Sequence, residues 1–216
     1  EANRSGPEQG VTIHGRIPTS HYPVEAAEMV LKEALKISEK THGKDHPDIV
    51  EILDKQIKLY VKTGRFAEVE PLLKRSLEIR EKNSGKNHLE LVSSLENLAT
   101  FYKLFNRYTE GSALYERILK ISEKAQNSDQ IDVALFLNDL AYCYIHTGRY
   151  AEAESLLNRS LEIREKNLGK SHLKLISSLA NLAFIYDSTG RFAEAEAMHK
   201  RLLEILDVSF KKLNTS

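Results

Sequence analysis

Eight histidines, one cysteine and a short column of lysines are the residues of this 216-residue chain best suited by type to chemistry. Imidazoles and a thiol raise a metal centre or a nucleophile, and lysines on one helical face raise an anion site. Spacing decides against the first two. His46, His88 and His172 fall 42 residues or a multiple of 42 apart, each just before a helical stretch. Packed elements lie about 10 Å apart, whereas zinc ligands converge to about 2 Å from the ion. These histidines are therefore expected in structural loops, and no metal site is expected. Cys143 stands in Ala141-Tyr142-Cys143-Tyr144, where a lone cysteine reads as a small buried hydrophobe within a helix. Glycines fall at helix ends and not in a phosphate-cradling cluster. No acid, base and nucleophile assemble, so neither an enzymatic activity nor a cofactor is expected.

The lysines fare better. Lys55, Lys58 and Lys62 are three and four residues apart, which sets them on one face of a helix, partly neutralised by Glu51 and Asp54. What must hold that helix in place is written in the period of the chain. Gly64-Arg65-Phe66, Asn106-Arg107-Tyr108, Gly148-Arg149-Tyr150 and Gly190-Arg191-Phe192 recur at steps of 42 residues. Gly43-Lys44-Asp45-His46, Gly85-Lys86-Asn87-His88 and Gly169-Lys170-Ser171-His172 keep the same step, and only Asn127 to Gln130 breaks it. Between the markers apolar residues follow helical spacing, as in Leu91, Leu95, Leu98, Ala99 and Tyr102. Two helices fit each period. The first, A, is expected over 48–63, 89–105, 131–147 and 173–189, and the second, B, over 66–83, 108–126, 150–168 and 192–206 or beyond.

Gly64, Asn106, Gly148 and Gly190 suit the left-handed backbone that often follows a helix. Ala99, Ala141 and Ala183 on A helices are expected to face Gly111, Ala153 and Ala195 on B helices at close crossings. The first repeat carries Ile57 and Val69 at those places, which predicts a wider pair. Upstream, Leu31, Leu35 and Ile37 align with Leu73, Leu77 and Ile79, so 24–43 reads as a B helix without its A partner. Residues 1–21, interrupted by Gly6, Pro7, Gly10, Gly15 and Pro18, are expected to be an extended or disordered lead-in. The array proper is expected over 22–216, with repeats at about 44–85, 86–127, 128–169 and 170–213.

Lysine plus arginine and aspartate plus glutamate number 31 each, so no net charge draws the chain to nucleic acid or anionic lipid. No apolar run approaches the roughly 20 residues that cross a bilayer. A single cysteine excludes an internal disulfide and leaves the redox compartment open. The chain begins at Glu1 and not at methionine, as expected of a processed protein or a piece of a longer one, and a cytoplasmic location is the default expectation.

Each unit has the form Leu-Glu-Asn-Leu-Ala-x-x-Tyr, then Gly-Arg-Tyr-Ala-Glu-Ala-Glu, then Arg-Ser-Leu-Glu-Ile-Arg-Glu-Lys-Asn-Leu-Gly-Lys-x-His. This pattern resembles the tetratricopeptide repeat (TPR) family, in the 42-residue variety found in kinesin light chains and many bacterial repeat proteins, over residues 24–210. The resemblance implies an all-α, right-handed superhelical solenoid of antiparallel helix pairs, with A helices lining a concave groove that holds a peptide. It implies no catalytic residues. In peptide-binding members the third residue of Leu-x-x-Leu-Ala points into the groove and is often asparagine, which can donate to and accept from a peptide backbone. Here those positions are Lys55, Asn97, Asp139 and Asn181, with Asp139 interrupting the series. Lys58 and Lys62, then Thr100 and Lys103 with Leu104, then Tyr142 and His146, then Phe184 and Asp187 share that side, so the groove is expected to become more aromatic and more acidic toward its C-terminal end.

Two functional classes follow. One is a scaffold or adaptor that binds a protein or an acidic peptide in the groove, with no role for nucleic acid or membrane. The other is a structural element that self-associates weakly, or packs on neighbouring domains, through open solenoid ends.

Overall fold

The computed structural model describes residues 22–125 and 130–213, which form nine α-helices and no strand. The expected lead-in over 1–21 lies outside the described residues. In chain order the helices are α1 (Tyr22–His42), α2 (Pro47–Lys62), α3 (Val69–Ser84), α4 (Val92–Leu104), α5 (Tyr108–Lys124), α6 (Gln130–His146), α7 (Tyr150–Leu168), α8 (Ile176–Ser188) and α9 (Phe192–Leu213). Helices α2, α4, α6 and α8 are the A series. Helix α1 and the odd-numbered helices after it are the B series, two helices to each period, and the architecture is the antiparallel helix-pair solenoid that the resemblance implies. One correction concerns helix starts: Phe66–Glu68, Leu89–Leu91 and Leu173–Leu175 are tighter 3₁₀ turns that precede α3, α4 and α8, a common way to satisfy the first orphan groups of a helix. Helix α9 runs past the expected 206 to Leu213.

The recurring loop residues have separable jobs. His46, His88 and His172 adopt extended backbone, and each accepts a hydrogen bond at Nδ1 from the backbone N–H two residues on, at 3.3, 3.3 and 3.1 Å. They cap the entry to each A segment, which is the structural loop role expected of them. At the A-to-B turns Gly64, Asn106, Gly148 and Gly190 take φ of 72°, 58°, 76° and 76°. The following arginine N–H then donates to the carbonyl of Tyr60, Tyr102, Tyr144 or Tyr186 at 2.8 Å, closing the helix end in the left-handed manner that glycine permits.

The arginine side chains in those turns tie one repeat to the B helix before it. Arg65 pairs with Glu28, which also accepts from the Tyr60 hydroxyl at 3.1 Å. Arg107 pairs with Glu70 at 2.6 Å and Arg191 with Glu154 at 2.7 Å, each glutamate accepting also from Tyr102 or Tyr186. Each guanidinium lies over its tyrosine ring, 4.4, 4.3 and 4.2 Å from the centroid for Arg65, Arg107 and Arg191. The third junction has Ser112 where the glutamate would be. There Tyr144 donates to Glu116 at 2.7 Å, while Arg149 stacks on the ring and pairs with Glu152. A second ladder joins successive B helices: Glu39–Arg75, Glu81–Arg117, Glu123–Arg159 and Glu165–Arg201.

These ties carry a pH dependence. The carboxyl of Glu28 is held at about 2 by Arg65 first and then Lys32, and that of Glu70 at about 2 by Lys74 and then Arg107, against an ordinary value of 4.5. A depressed folded-state pKa stabilises the fold fully above the unfolded value and loses that contribution as the pH falls toward the folded one. The melting temperature is thus expected to drop between about pH 4.5 and pH 2. Circular dichroism melts at stepped pH check this, with Glu70→Gln expected to give a shallower slope; equal slopes for native and variant would remove Glu70 from the account.

The core runs without a break through α3 to α9, and a smaller cluster of Ile49, Val50, Leu53 and Ile79 takes in Leu35 of α1. Ala99, Ala141, Ala183, Ala153 and Ala195 are all buried, and a Cβ added at Gly111 would touch the Ala99 carbonyl and Cys143 Sγ at 3.5 Å, as expected of a close A–B crossing. Cys143 is buried, and burial pushes its thiol up to about 11, so it packs as a hydrophobe. Arg164 is only 4% exposed and donates to the carbonyls of Lys174 and Ala134 and to Ser177 and Ser178, stitching α6, α7 and α8 together. Its counterpart Arg80 pairs with Asp54, whereas Asn138 replaces that carboxylate in the third repeat.

Candidate functional site

Side by side, the A helices present one surface on which the expected site residues divide into three groups. Lys55, Lys58 and Lys62 are exposed along α2. Lys55 is partly neutralised as expected: Glu51, one turn earlier, pairs with it at 2.8 Å on the exposed surface. Asp54 is drawn the other way, to Arg80 at 3.2 Å. Lys58 and Lys62 have no ion pair among the described residues and are the unneutralised part of the basic column.

Between α2, the start of α3 and α4 lies an open cavity of about 410 Å³. Its walls are apolar: Ile57 and Val61 from α2, Phe66 and Val69 at the entry to α3, and Phe101, Leu104 and Phe105 at the end of α4. Ile57 and Val69 are the residues that replace the small pair of the later repeats, and both line this space. The phenylalanine rings form a continuous wall, Phe66 edge-on to Phe105 at 5.4 Å and Phe105 tilted on Phe101 at 4.6 Å between centroids. Phe66, Leu104 and Phe105 remain exposed. Leu73, Lys58, Asn97, Thr100 and Asp54, the last paired with Arg80, complete the lining, so three of the expected groove residues meet at one place. Asn97 presents an exposed amide there, while the Thr100 hydroxyl lies 3.2 Å from that of Tyr115.

Farther along, Lys103 of α4 and Asp139 of α6 form a half-buried ion pair at 2.6 Å. Burial works against the charged lysine, but the Asp139 carboxylate overrides it and raises the Lys103 pKa. The two residues therefore satisfy each other and bridge successive A helices. Beside them Tyr142, His146 and Tyr108 stack, with Tyr108 and His146 at 4.3 Å and Tyr142 and His146 at 4.4 Å between centroids. Asn181, half-buried, and Phe184, exposed, stand on α8 and do not line the cavity.

Aromatic groups thus stand in both halves: three phenylalanines wall the N-terminal cavity, and Tyr108, Tyr142, His146 and Phe184 lie farther along. Sequence reasoning passed over Phe66 and Phe105, which it treated as helix boundaries. The spacing of Phe101 and Phe105, four residues apart, is the signal that could have found two of the three.

The tetratricopeptide repeat family model matches residues 24–82, 57–124 and 132–207. Among solved structures, the kinesin light chain nearly identical TPR-like repeats of Podosopora anserina are similar at 24% identity, with 88% of this chain and 90% of that chain covered and a TM-score of 0.72. BtubC (BKLC) from P. vanneervenii is similar at 24% identity over 87% of this chain and 74% of that one, with a TM-score of 0.70. The apo form of RapI gives 18% identity over 90% of this chain and 69% of that one, with a TM-score of 0.69. At such identities the likeness is one of fold. A search of curated proteins returns no match. None of the described helices is long and apolar enough to cross a membrane.

Proposed function

The chain belongs to the tetratricopeptide repeat family, and on that premise we propose that it is a non-enzymatic scaffold whose groove takes a short acidic peptide with an apolar anchor residue. One observation carries this reading: the phenylalanine-walled cavity of about 410 Å³ has Lys58 and Asn97 in its lining. Its size suits one large side chain, and apolar pockets with a few convergent polar groups are where ligands are held. The anchor would cover exposed Phe66, Leu104 and Phe105. Carboxylates beside it would reach Lys58 and Lys62, two like charges whose repulsion an anion relieves. The Asn97 amide would fix the peptide backbone by donating and accepting at once. Asn181, Phe184, Tyr142 and His146 would serve, if at all, a longer ligand that runs toward α8.

Calorimetric titration with an acidic, aromatic-containing peptide and its charge-reversed twin is the test. Binding is expected to be on the order of micromolar, because a flexible peptide loses conformational freedom when held. Lys58→Glu is expected to weaken the acidic peptide about tenfold or more, some 1.4 kcal/mol, and Asn97→Ala to weaken both peptides. Added salt should reduce the preference for the acidic one. If the two peptides bind equally and neither substitution matters, the groove reading fails.

A second reading rests on the ends. Met29 and Val30 of α1 are 72% and 68% exposed, and Leu203 and Phe210 of α9 are 67% and 62% exposed. Faces of this kind favour weak association with another copy or with neighbouring domains. Light scattering on the same samples distinguishes the two readings: a strictly monomeric chain at high concentration removes self-association.

A further inference from the structure

Where α1 passes into α2, the capping histidine of the repeat has company. His42 ends α1 and His46 caps α2, and their imidazole rings stack with centroids 4.7 Å apart. Asp48, in the first turn of α2, brings a carboxylate oxygen to 3.5 Å from His46 Nδ1. One ligand atom from each of the three residues lies within 4.8 Å of the other two.

Capping accounts for His46 and for nothing else in this group. His88 and His172 cap their segments in the same way, and Glu90 brings a carboxylate to 3.6 Å from His88 Nδ1 as Asp48 does for His46, yet Ser84 and Leu168 stand where His42 does, and Lys174 takes the place of Asp48 in the last repeat. The first junction thus departs from the repeat by adding one ligating side chain, His42, beside a capping histidine and a carboxylate that the second repeat also holds together.

We propose that His42, His46 and Asp48 bind a divalent transition cation of the zinc or nickel type, which ties the end of α1 to the start of α2. Two imidazoles and one carboxylate form a donor set suited to such ions, not to calcium or magnesium, which take oxygen ligands. Zinc–ligand bonds of about 2.0–2.2 Å in a tetrahedron place ligand atoms about 3.4 Å apart. His46 Nδ1 and Asp48 Oδ2 already have that spacing at 3.5 Å, and rotation of the exposed His42 ring closes the third edge. The lone pair of His46 Nδ1 that accepts from the Asp48 N–H at 3.3 Å is the one the ion takes, so metal binding exchanges a long hydrogen bond for a coordinate bond. The ion sits between the negative end of the α1 dipole and the positive end of the α2 dipole, which offset one another. A remaining position is left to water. The consequence is mechanical: α1, on whose outer side no A helix stands among the described residues, is fixed more firmly to the array.

The test is titration of the purified chain, freed of any affinity tag, with zinc chloride by calorimetry and with cobalt(II) by visible absorption. His42→Gln, Asp48→Asn and His88→Gln are run beside the native chain. The expected result is one-to-one binding, weakened at least tenfold by His42→Gln, weakened by Asp48→Asn and unchanged by His88→Gln. Hydrogen exchange in α1 should slow on adding zinc to the native chain and to His88→Gln, and not to His42→Gln at the same zinc concentration. Absence of saturable binding at millimolar zinc would overturn the proposal. Equal affinity of the native chain and His42→Gln, or equal losses in His42→Gln and His88→Gln, would do the same.

Discussion

Truncation of Leu137 to alanine is expected to destabilise the array by about 2–5 kcal/mol, the range for removing a fully buried leucine side chain from a packed core. Leu137 is 0% exposed on α6, the helix with buried residues on the most sides: Val133, Phe136, Leu140, Ala141, Cys143 and Tyr144 are all sequestered around it. The cost depends on how far the surroundings can collapse. Here α5 and α7 pack on α6 and α8 lies beyond, so little collapse is open to it. In a solenoid, stability is close to a sum of repeat and neighbour terms, and a lesion in the third repeat severs the coupling between the two ends. Urea unfolding of the variant should show a lower midpoint and a broader or two-step transition. Leu203→Ala, at a site 67% exposed on α9, should stay within about 0.5 kcal/mol of the native chain. A Leu137→Ala midpoint equal to the native one would mean that α6 does not sit at the centre of the core.

The period made most of this fold legible. Because one helix pair cannot bury its own apolar face, the sequence must repeat both the apolar spacing and the turn chemistry, and the Gly-Arg-Phe and Gly-Lys-x-His markers recorded both. What the markers did not show was the reach of side chains between repeats. Arg65, Arg107 and Arg191 sit in the turns, but their partners Glu28, Glu70 and Glu154 lie on the preceding B helix and are identified only when the helices are placed. The site was legible in part for a similar reason. Lys58, Asn97 and Thr100 repeat one helical register and were found; Phe66 belongs to the turn motif, and its aromatic counterparts Tyr108, Tyr150 and Phe192 disguise it as punctuation. Glu51 neutralises Lys55 locally, as a spacing of four allows, while Asp54 turns to Arg80 in another helix, a partner that helix spacing alone does not reveal. His42 has no counterpart in the later repeats, so the period does not mark it.

Replacement of Ala183 by phenylalanine is expected to destabilise the array by about 1–3 kcal/mol, the usual cost of overpacking a tight core position. Ala183 is 1% exposed on α8, and Ala195 of α9 is equally buried. Their counterparts one pair of repeats earlier are Ala99 and Gly111, where a Cβ built on Gly111 would lie 3.5 Å from the Ala99 carbonyl. A methyl group therefore fits at such a crossing and a benzyl group does not. Gly111→Ala is the matched control: the contact at 3.5 Å is an ordinary one, and alanine replaces glycine within helix α5, so stability should hold or rise by up to about 1 kcal/mol. In Ala183→Phe the strain has an outlet, because among the described residues no helix packs outside α9. The helix should be driven outward before the other eight are disturbed, and the loss should appear first as faster hydrogen exchange and proteolysis within Phe192–Leu213. Thermal melts and exchange measured together separate the alternatives. An unchanged melt with unchanged exchange would show that Ala183 does not face α9, whereas a lowered melt with α9 still protected would place the strain deeper, against α6 or α7.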